Sequence, residues 1–274
     1  MTAVARRASE RLSPGARFAP ADVSGGEGLE RAFSGAEAVI HLVGIIRENG
    51  PQTFQAVHVQ GTAHAIQAAT AVGATRFLHM SALGARTDSK SRYSSSKAEA
   101  EALVRASNLD WTIFRPSLVF GPGDDFFGGV LAGLTRGPVA PIIGDGSFPF
   151  TPVWVEDVVT AYEQALTLPV GGQTFDLAGP RRYSFARLVK LVAEAQGRRP
   201  LFAHIPVPLM NLIVRAFSVL PNPPITPDQY AMLLEGNAAS GDAAREAFTL
   251  TEPDLESVLP SIVGRTAGRQ KVAA

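Results

Sequence analysis

Arg76-Phe77-Leu78-His79-Met80, then Ser81, then Tyr93-Ser94-Ser95-Ser96-Lys97 is the order that decides the fold: a strand, a hydroxyl at its carboxyl end, and a Tyr/Lys pair opening the next helix. Tyr and Lys four apart share one helix face. Lys97 is therefore placed to hold its ammonium beside the Tyr93 phenol and favour the phenolate by charge. A phenol that starts near pKa ~10 then becomes a proton donor or acceptor close to neutrality. Ser81 would hydrogen-bond the same substrate oxygen, which makes Ser81, Tyr93 and Lys97 the candidate catalytic residues.

Outward from this stretch, short β-type runs alternate with helical periodicity. Strands are expected at 3–6, 16–19, 38–42, Arg76–Met80, 111–115 and 174–177, and helices at 28–33, 53–71, 92–107 and 156–167. This is the pattern of an α/β fold, a Rossmann-type doubly wound parallel sheet covered by helices. Ligands in such sheets sit beyond the carboxyl ends of the strands. From Pro180 helices are expected to dominate: Ser184 reads as a cap for 185–196, 206–220 is strongly apolar, and Thr226 or Asp228 opens another segment. The expected organisation is a Rossmann domain over 1–179, a cleft loop within it at 119–152, a smaller helical lobe over 180–264, and a frayed basic tail over 265–274.

Composition narrows the function. The chain has 274 residues, 46% hydrophobic, with 25 basic and 25 acidic residues and hence zero formal net charge, which removes the electrostatic footprint of a nucleic-acid binder. Without cysteine there are no disulfides, thiolate metal sites or cysteine nucleophiles. His41 on an apolar strand reads as a core residue. His58 and His64 are spaced off a common helix face, so no metal is expected. No run has the length of a membrane span or a signal peptide core, so a cytoplasmic location is expected, with peripheral contact at the inner membrane face left open through 206–220.

Several motifs together resemble the extended and atypical short-chain dehydrogenases of the epimerase/dehydratase superfamily. They are Val39-Ile-His-Leu-Val-Gly44, Val57-His-Val-Gln-Gly-Thr-Ala63 with His58 in the place of an Asn, Arg115-Pro-Ser-Leu-Val-Phe-Gly-Pro122, and Val153-Trp-Val-Glu-Asp-Val158. Within that group the chain is similar to bacterial relatives of the NADPH-binding accessory subunit of respiratory complex I. That similarity rests on 109–127, on Ile205-Pro-Val-Pro-Leu209 and on Leu220-Pro-Asn-Pro-Pro-Ile-Thr-Pro-Asp-Gln229. The resemblance implies adenine contact by Asp22, a cofactor passing over Val43 and Gly44, ribose contact by Lys97 beside Tyr93, and nicotinamide contact by Pro116 and Ser117. Arg6 and Arg7 would meet a 2′-phosphate, favouring NADP(H) over NAD(H). It also leaves the function open between an NADPH-binding module tied to a protein assembly or to quinone metabolism, and an oxidoreductase acting on a carbonyl or alcohol. A nucleotide-sugar epimerase or dehydratase is a third reading of the same fold.

One departure accompanies the match. The superfamily's opening strand and its Gly-x-x-Gly-x-x-Gly loop, which holds the pyrophosphate at a helix N-terminus, are not found. Met1-Thr-Ala-Val-Ala-Arg-Arg7 resembles the second strand instead. The expectation is an in-frame upstream segment that encodes the first strand and loop. In strand order 3-2-1-4-5-6 that strand would lie at the centre of the sheet.

Overall fold

The computed structural model describes residues 1–8, 12–220 and 223–269. In chain order the elements are β1 (Thr2–Ala5), β2 (Arg17–Pro20), α1 (Leu29–Phe33), β3 (Ala38–His41), a π-helical turn (Gln55–Gln60) continuing into α2 (Gly61–Ala71), β4 (Arg76–Met80), α3 (Arg92–Ala106) and β5 (Asp110–Pro116). There follow β6 (Val119–Phe120), a second π-helical turn (Phe126–Leu131), α4 (Ala132–Leu134), β7 (Val139–Ile143), β8 (Pro149–Phe150), β9 (Val153–Trp154), α5 (Val155–Ala165) and β10 (Gln173–Leu177). The remainder is β11 (Tyr183–Ser184), α6 (Phe185–Ala195), β12 (Leu201–Ile205), α7 (Val207–Phe217), α8 (Pro227–Glu235), α9 (Asp242–Ala247) and α10 (Leu255–Arg269).

The first compact unit comprises Met1–Arg115 and Tyr162–Phe175. Its main sheet has the order β10-β5-β4-β3, with β3, β4 and β5 parallel and His41 opposite His79 in register. Ala65, Ala68 and Ala69 are fully or nearly buried with Phe77 and Ile113, so small side chains let α2 lie close to the β-branched and aromatic surface of the sheet. Ser91 caps α3 by accepting the Ser94 N–H at 3.4 Å. β1 and β2 form a separate parallel pair, and among the described residues nothing extends the ladder beyond β3. Ile40 on β3 and Leu42 and Val43 just after it are 41%, 53% and 37% exposed, so this edge of the sheet is uncovered among the described residues.

The second unit comprises Pro116–Ala161 and Asp176–Ala274. Phe120, Phe127, Leu131 and Ile142 are buried with Leu188 and Val192 of α6 and Leu259 of α10. That shared core is why the chain divides at Pro116, and not near 180 as expected. The stretch 138–152, expected as loop, carries β7 and β8, and the lobe holds β12 parallel to β7. Gly and Pro hide these strands because a two-stranded sheet is all edge, where Pro141 leaves no ladder unsatisfied. Thr226 caps α8 in a capping box with Gln229. Helix α10 continues to Arg269, past the expected start of a tail at 265. Residues 270–274 lie outside the described residues, as do Pro221 and Asn222 of the quoted C-terminal motif.

Gly121, in the Arg115–Pro122 motif, has a packing reason. A Cβ there would stand 2.4 Å from Val155 Cγ1, so the turn closes only without a side chain. Gly121→Ala is expected to cost ~1–3 kcal/mol by overpacking, read as a lower urea midpoint.

Candidate functional site

Ser81 leaves β4 with its N–H donated to the Phe114 carbonyl at 2.8 Å. Its Oγ is buried and has no hydrogen-bond partner of normal geometry, although it lies close enough to help hold Glu101 ionised. Tyr93, Lys97, Glu101 and Arg105 follow at four-residue steps along one face of α3. Lys97 is 4% exposed, and its Nζ donates to the Met80 carbonyl at 3.0 Å. Burial brings its pKa down to about 8, against the partial support of the Glu101 charge.

Lys97 and Tyr93 share the face of α3, and their environments differ. Burial pushes the Tyr93 phenol up to about 12, and no neighbouring charge brings it down. Lys97 donates one of its three ammonium protons to the carbonyl at the end of β4. Tyr93 is half-buried, with its ring packed edge-on against Phe54 and His58 at centroid distances of 5.9 and 5.4 Å.

Glu101, which the sequence reading passed over, is a central charge of this face. Its side chain is 1% exposed and receives Arg115 Nε at 2.7 Å, Arg115 Nη2 at 2.6 Å and Arg105 Nη2 at 2.8 Å. Burial opposes its charge, but these donors prevail and hold the carboxyl below its ordinary value. The four-residue spacing after Lys97 was the available signal. Arg115, the first residue of the Arg-Pro motif, therefore clamps α3 to β5.

The segment after β3 meets the same face. A Cβ at Gly44 would lie 3.1 Å from Lys97 Nζ and 3.5 Å from His58 Nε2, so glycine permits the chain to pass over both. Glu48 accepts from Arg92 at 2.8 Å and from the Phe54 N–H at 2.9 Å, tying this segment to the start of α3. His41 stacks on His79 at 5.5 Å and meets Thr62 Oγ1 at 3.2 Å. Both His79 ring nitrogens are buried without a partner.

The remaining candidates are dispersed. Arg6 and Arg7 are exposed beyond β1 and line, with Ala5 and Asn49 to Gln52, an open cavity of about 740 Å³. Among the described residues neither makes an ion pair. Asp22 Oδ1 accepts the Ser24 N–H at 2.9 Å, an ordinary turn contact that leaves Oδ2 without a partner among the described residues. Val43 is exposed beside Gly44. Pro116 and Ser117 belong to the second unit, where Ser117 donates its N–H to Leu177 and its hydroxyl to Asn237, each at 2.9 Å. Its donors are spent on the chain's own carbonyls. Among the described residues no cluster of three His, Asp or Glu side chains is placed to hold a metal, and no helix is long and apolar enough to cross a membrane.

Parallel strands alternating with helices, with Ser81, Tyr93 and Lys97 near their carboxyl ends, have the layout of a Rossmann-type α/β fold. Residues 1–123 match the model of a family described as NAD(P)H-binding. The chain is 33% identical over 201 residues to ceramide reductase of Caulobacter vibrioides, covering 72% of this chain and 62% of that protein. It is 28% identical over 254 residues to the mitochondrial NADH dehydrogenase [ubiquinone] 1 alpha subcomplex subunit 9 of Arabidopsis thaliana, covering 90% and 62% respectively. It thus spans about three fifths of the length of these two relatives. Among solved structures it resembles MoeE5 in complex with UDP-glucuronic acid and NAD, with TM-score 0.73, 20% identity and coverage of 98% and 91%. It also resembles RMD from Pseudomonas aeruginosa complexed with NADPH, with TM-score 0.68, 17% identity and coverage of 94% and 92%. These structural likenesses establish the fold.

Proposed function

We propose that this chain acts as an NADPH-binding module, in which Tyr93 and Lys97 hold the cofactor and serve assembly or quinone-linked metabolism before they serve turnover. The observation that carries this reading is the Lys97 ammonium held on the Met80 carbonyl beneath Gly44, beside a Tyr93 phenol that burial raises. A general base at neutral pH needs a pKa much nearer 7. The similarity to a complex I subunit supports the same reading.

The residues suit a dinucleotide. Gly44 lacks the side chain that would fill the space over Lys97, Arg6 and Arg7 flank an open cavity, and Asp22 keeps one carboxylate oxygen unengaged. Lys97 would hold ribose hydroxyls, Asp22 the adenine, Val43 and Gly44 the underside of the cofactor, and Arg6 and Arg7 a 2′-phosphate through charge-assisted hydrogen bonds. NADPH should then bind more tightly than NADH. Replacing both arginines by Ala should reduce that preference about tenfold or more, the worth of one charge-assisted hydrogen bond of ~1.5–3 kcal/mol. Equal calorimetric Kd values for the two cofactors in the unaltered chain would contradict the assignment.

A second reading, a carbonyl reductase, is favoured by Ser81, whose buried Oγ is left for an additional partner. The similarity to ceramide reductase supports it. Bound NADPH supplies hydride chemistry. Ser81 would polarise the substrate oxygen, and the protonated Tyr93 phenol would donate its proton to that oxygen.

Tyr93→Phe separates the two readings because it keeps the ring packing on Phe54 and His58. For a module, NADPH affinity stays within about twofold, there is no NADPH oxidation with a carbonyl panel to lose, and Lys97→Met weakens NADPH about tenfold. Wild-type NADPH oxidation that falls by ~10²–10⁴-fold in Tyr93→Phe at unchanged affinity would replace the module with the reductase.

A further inference from the structure

His58 has no role in either reading above, yet every polar atom of its ring is engaged. Its Nε2 accepts the Ile45 N–H at 3.0 Å, which leaves that nitrogen without a proton. Its Nδ1 is 2.8 Å from Ser96 Oγ, and Ser96 Oγ is 2.8 Å from the Tyr93 carbonyl. A carbonyl only accepts, so the Ser96 hydroxyl donates to Tyr93 and must itself accept from His58 Nδ1–H. The directions therefore run one way, from Ile45 N–H through His58 and Ser96 to the backbone of Tyr93. The ring also packs between Phe54, stacked at 5.4 Å, and the edge of Tyr93.

We infer that His58 is the positioning residue of the nucleotide site, joining the segment after β3 to the first turn of α3 through a fixed Nδ1–H tautomer. Gly44 and Ile45 on one side, and Tyr93 and Lys97 on the other, then hold a common geometry. The inference rests on the reading of Gly44, Tyr93 and Lys97 as nucleotide contacts. Phe at position 58 would fill the space and keep the aromatic packing but make neither hydrogen bond. Gln can place an amide oxygen near the former Nε2 and restore the acceptor for Ile45.

The test has two arms on the intact chain. Long-range proton–nitrogen NMR of the histidine-labelled protein should show His58 protonated at Nδ1 at pH 7, and Ser96→Ala should shift the Nδ1 resonance. Protonation at Nε2, or no response to Ser96→Ala, overturns the network. In the second arm, NADPH Kd is measured for wild type, His58→Phe and His58→Gln, each checked for a cooperative thermal transition. His58→Phe should weaken NADPH by about 10²-fold, the cost of misplacing contact groups by about an ångström, and His58→Gln should recover much of that loss. A folded His58→Phe that binds NADPH like wild type overturns the positioning role. If instead wild-type NADPH affinity is indifferent to Lys97→Met, the reading of the site has failed, while the NMR arm still decides the network.

Discussion

Glu101→Gln should lower the stability of the chain by about 3 kcal/mol, the low end of the cost of breaking a buried ion pair. The carboxylate is 1% exposed and is met by two guanidinium groups, of which Arg115 is 26% exposed and Arg105 39%. Gln keeps the shape and can accept hydrogen bonds, but it removes the buried negative charge that faces the Arg115 and Arg105 guanidinium groups. Solvent reaching Arg105 discounts its share. Urea denaturation supplies the measurement, and a loss under ~1 kcal/mol would mean the pair behaves as a surface contact. A second effect distinguishes this from generic damage: Glu101 supports the Lys97 charge, so Glu101→Gln should move the Lys97 titration further below about 8.

Acid should destabilise this chain well above the pH at which its carboxylates protonate. His41 and His58 are brought down to about 3, in each case by burial first and then by the Lys97 charge. Burial and the neighbouring histidines and Lys97 hold His79 well below its usual value. Unfolded, each histidine titrates near ~6.5. The unfolded chain therefore binds more protons than the folded one throughout the window from about 6.5 down to about 3, and stability falls as pH falls through it. Three such groups set a limiting slope of about 4 kcal/mol per pH unit. Unfolding free energies at pH 7.5, 6.0 and 5.0 test this, and His79→Leu should remove about a third of the slope. A flat profile above pH 5 would show that these rings take up protons in the folded state.

The α/β alternation was legible because it rests on local chemistry: apolar runs such as Phe77-Leu78 and Ile113-Phe114, and helix caps at Ser184 and Thr226. The Tyr93/Lys97 pair was equally legible, since a helix puts residues four apart on one face whatever surrounds them. What Lys97 does was not. Whether its ammonium meets the phenol or the Met80 carbonyl depends on how β4 ends beneath α3, and on the cost of burying that charge. The β7–β12 pair and the division at Pro116 were hidden for a related reason, because they depend on partners far along the chain and not on a local pattern. His58, Ser96 and Glu101 were visible as residue types. Their roles came only from hydrogen bonds and ion pairs to Ile45, Tyr93 and Arg115, contacts whose geometry tertiary packing sets and residue identity alone does not encode.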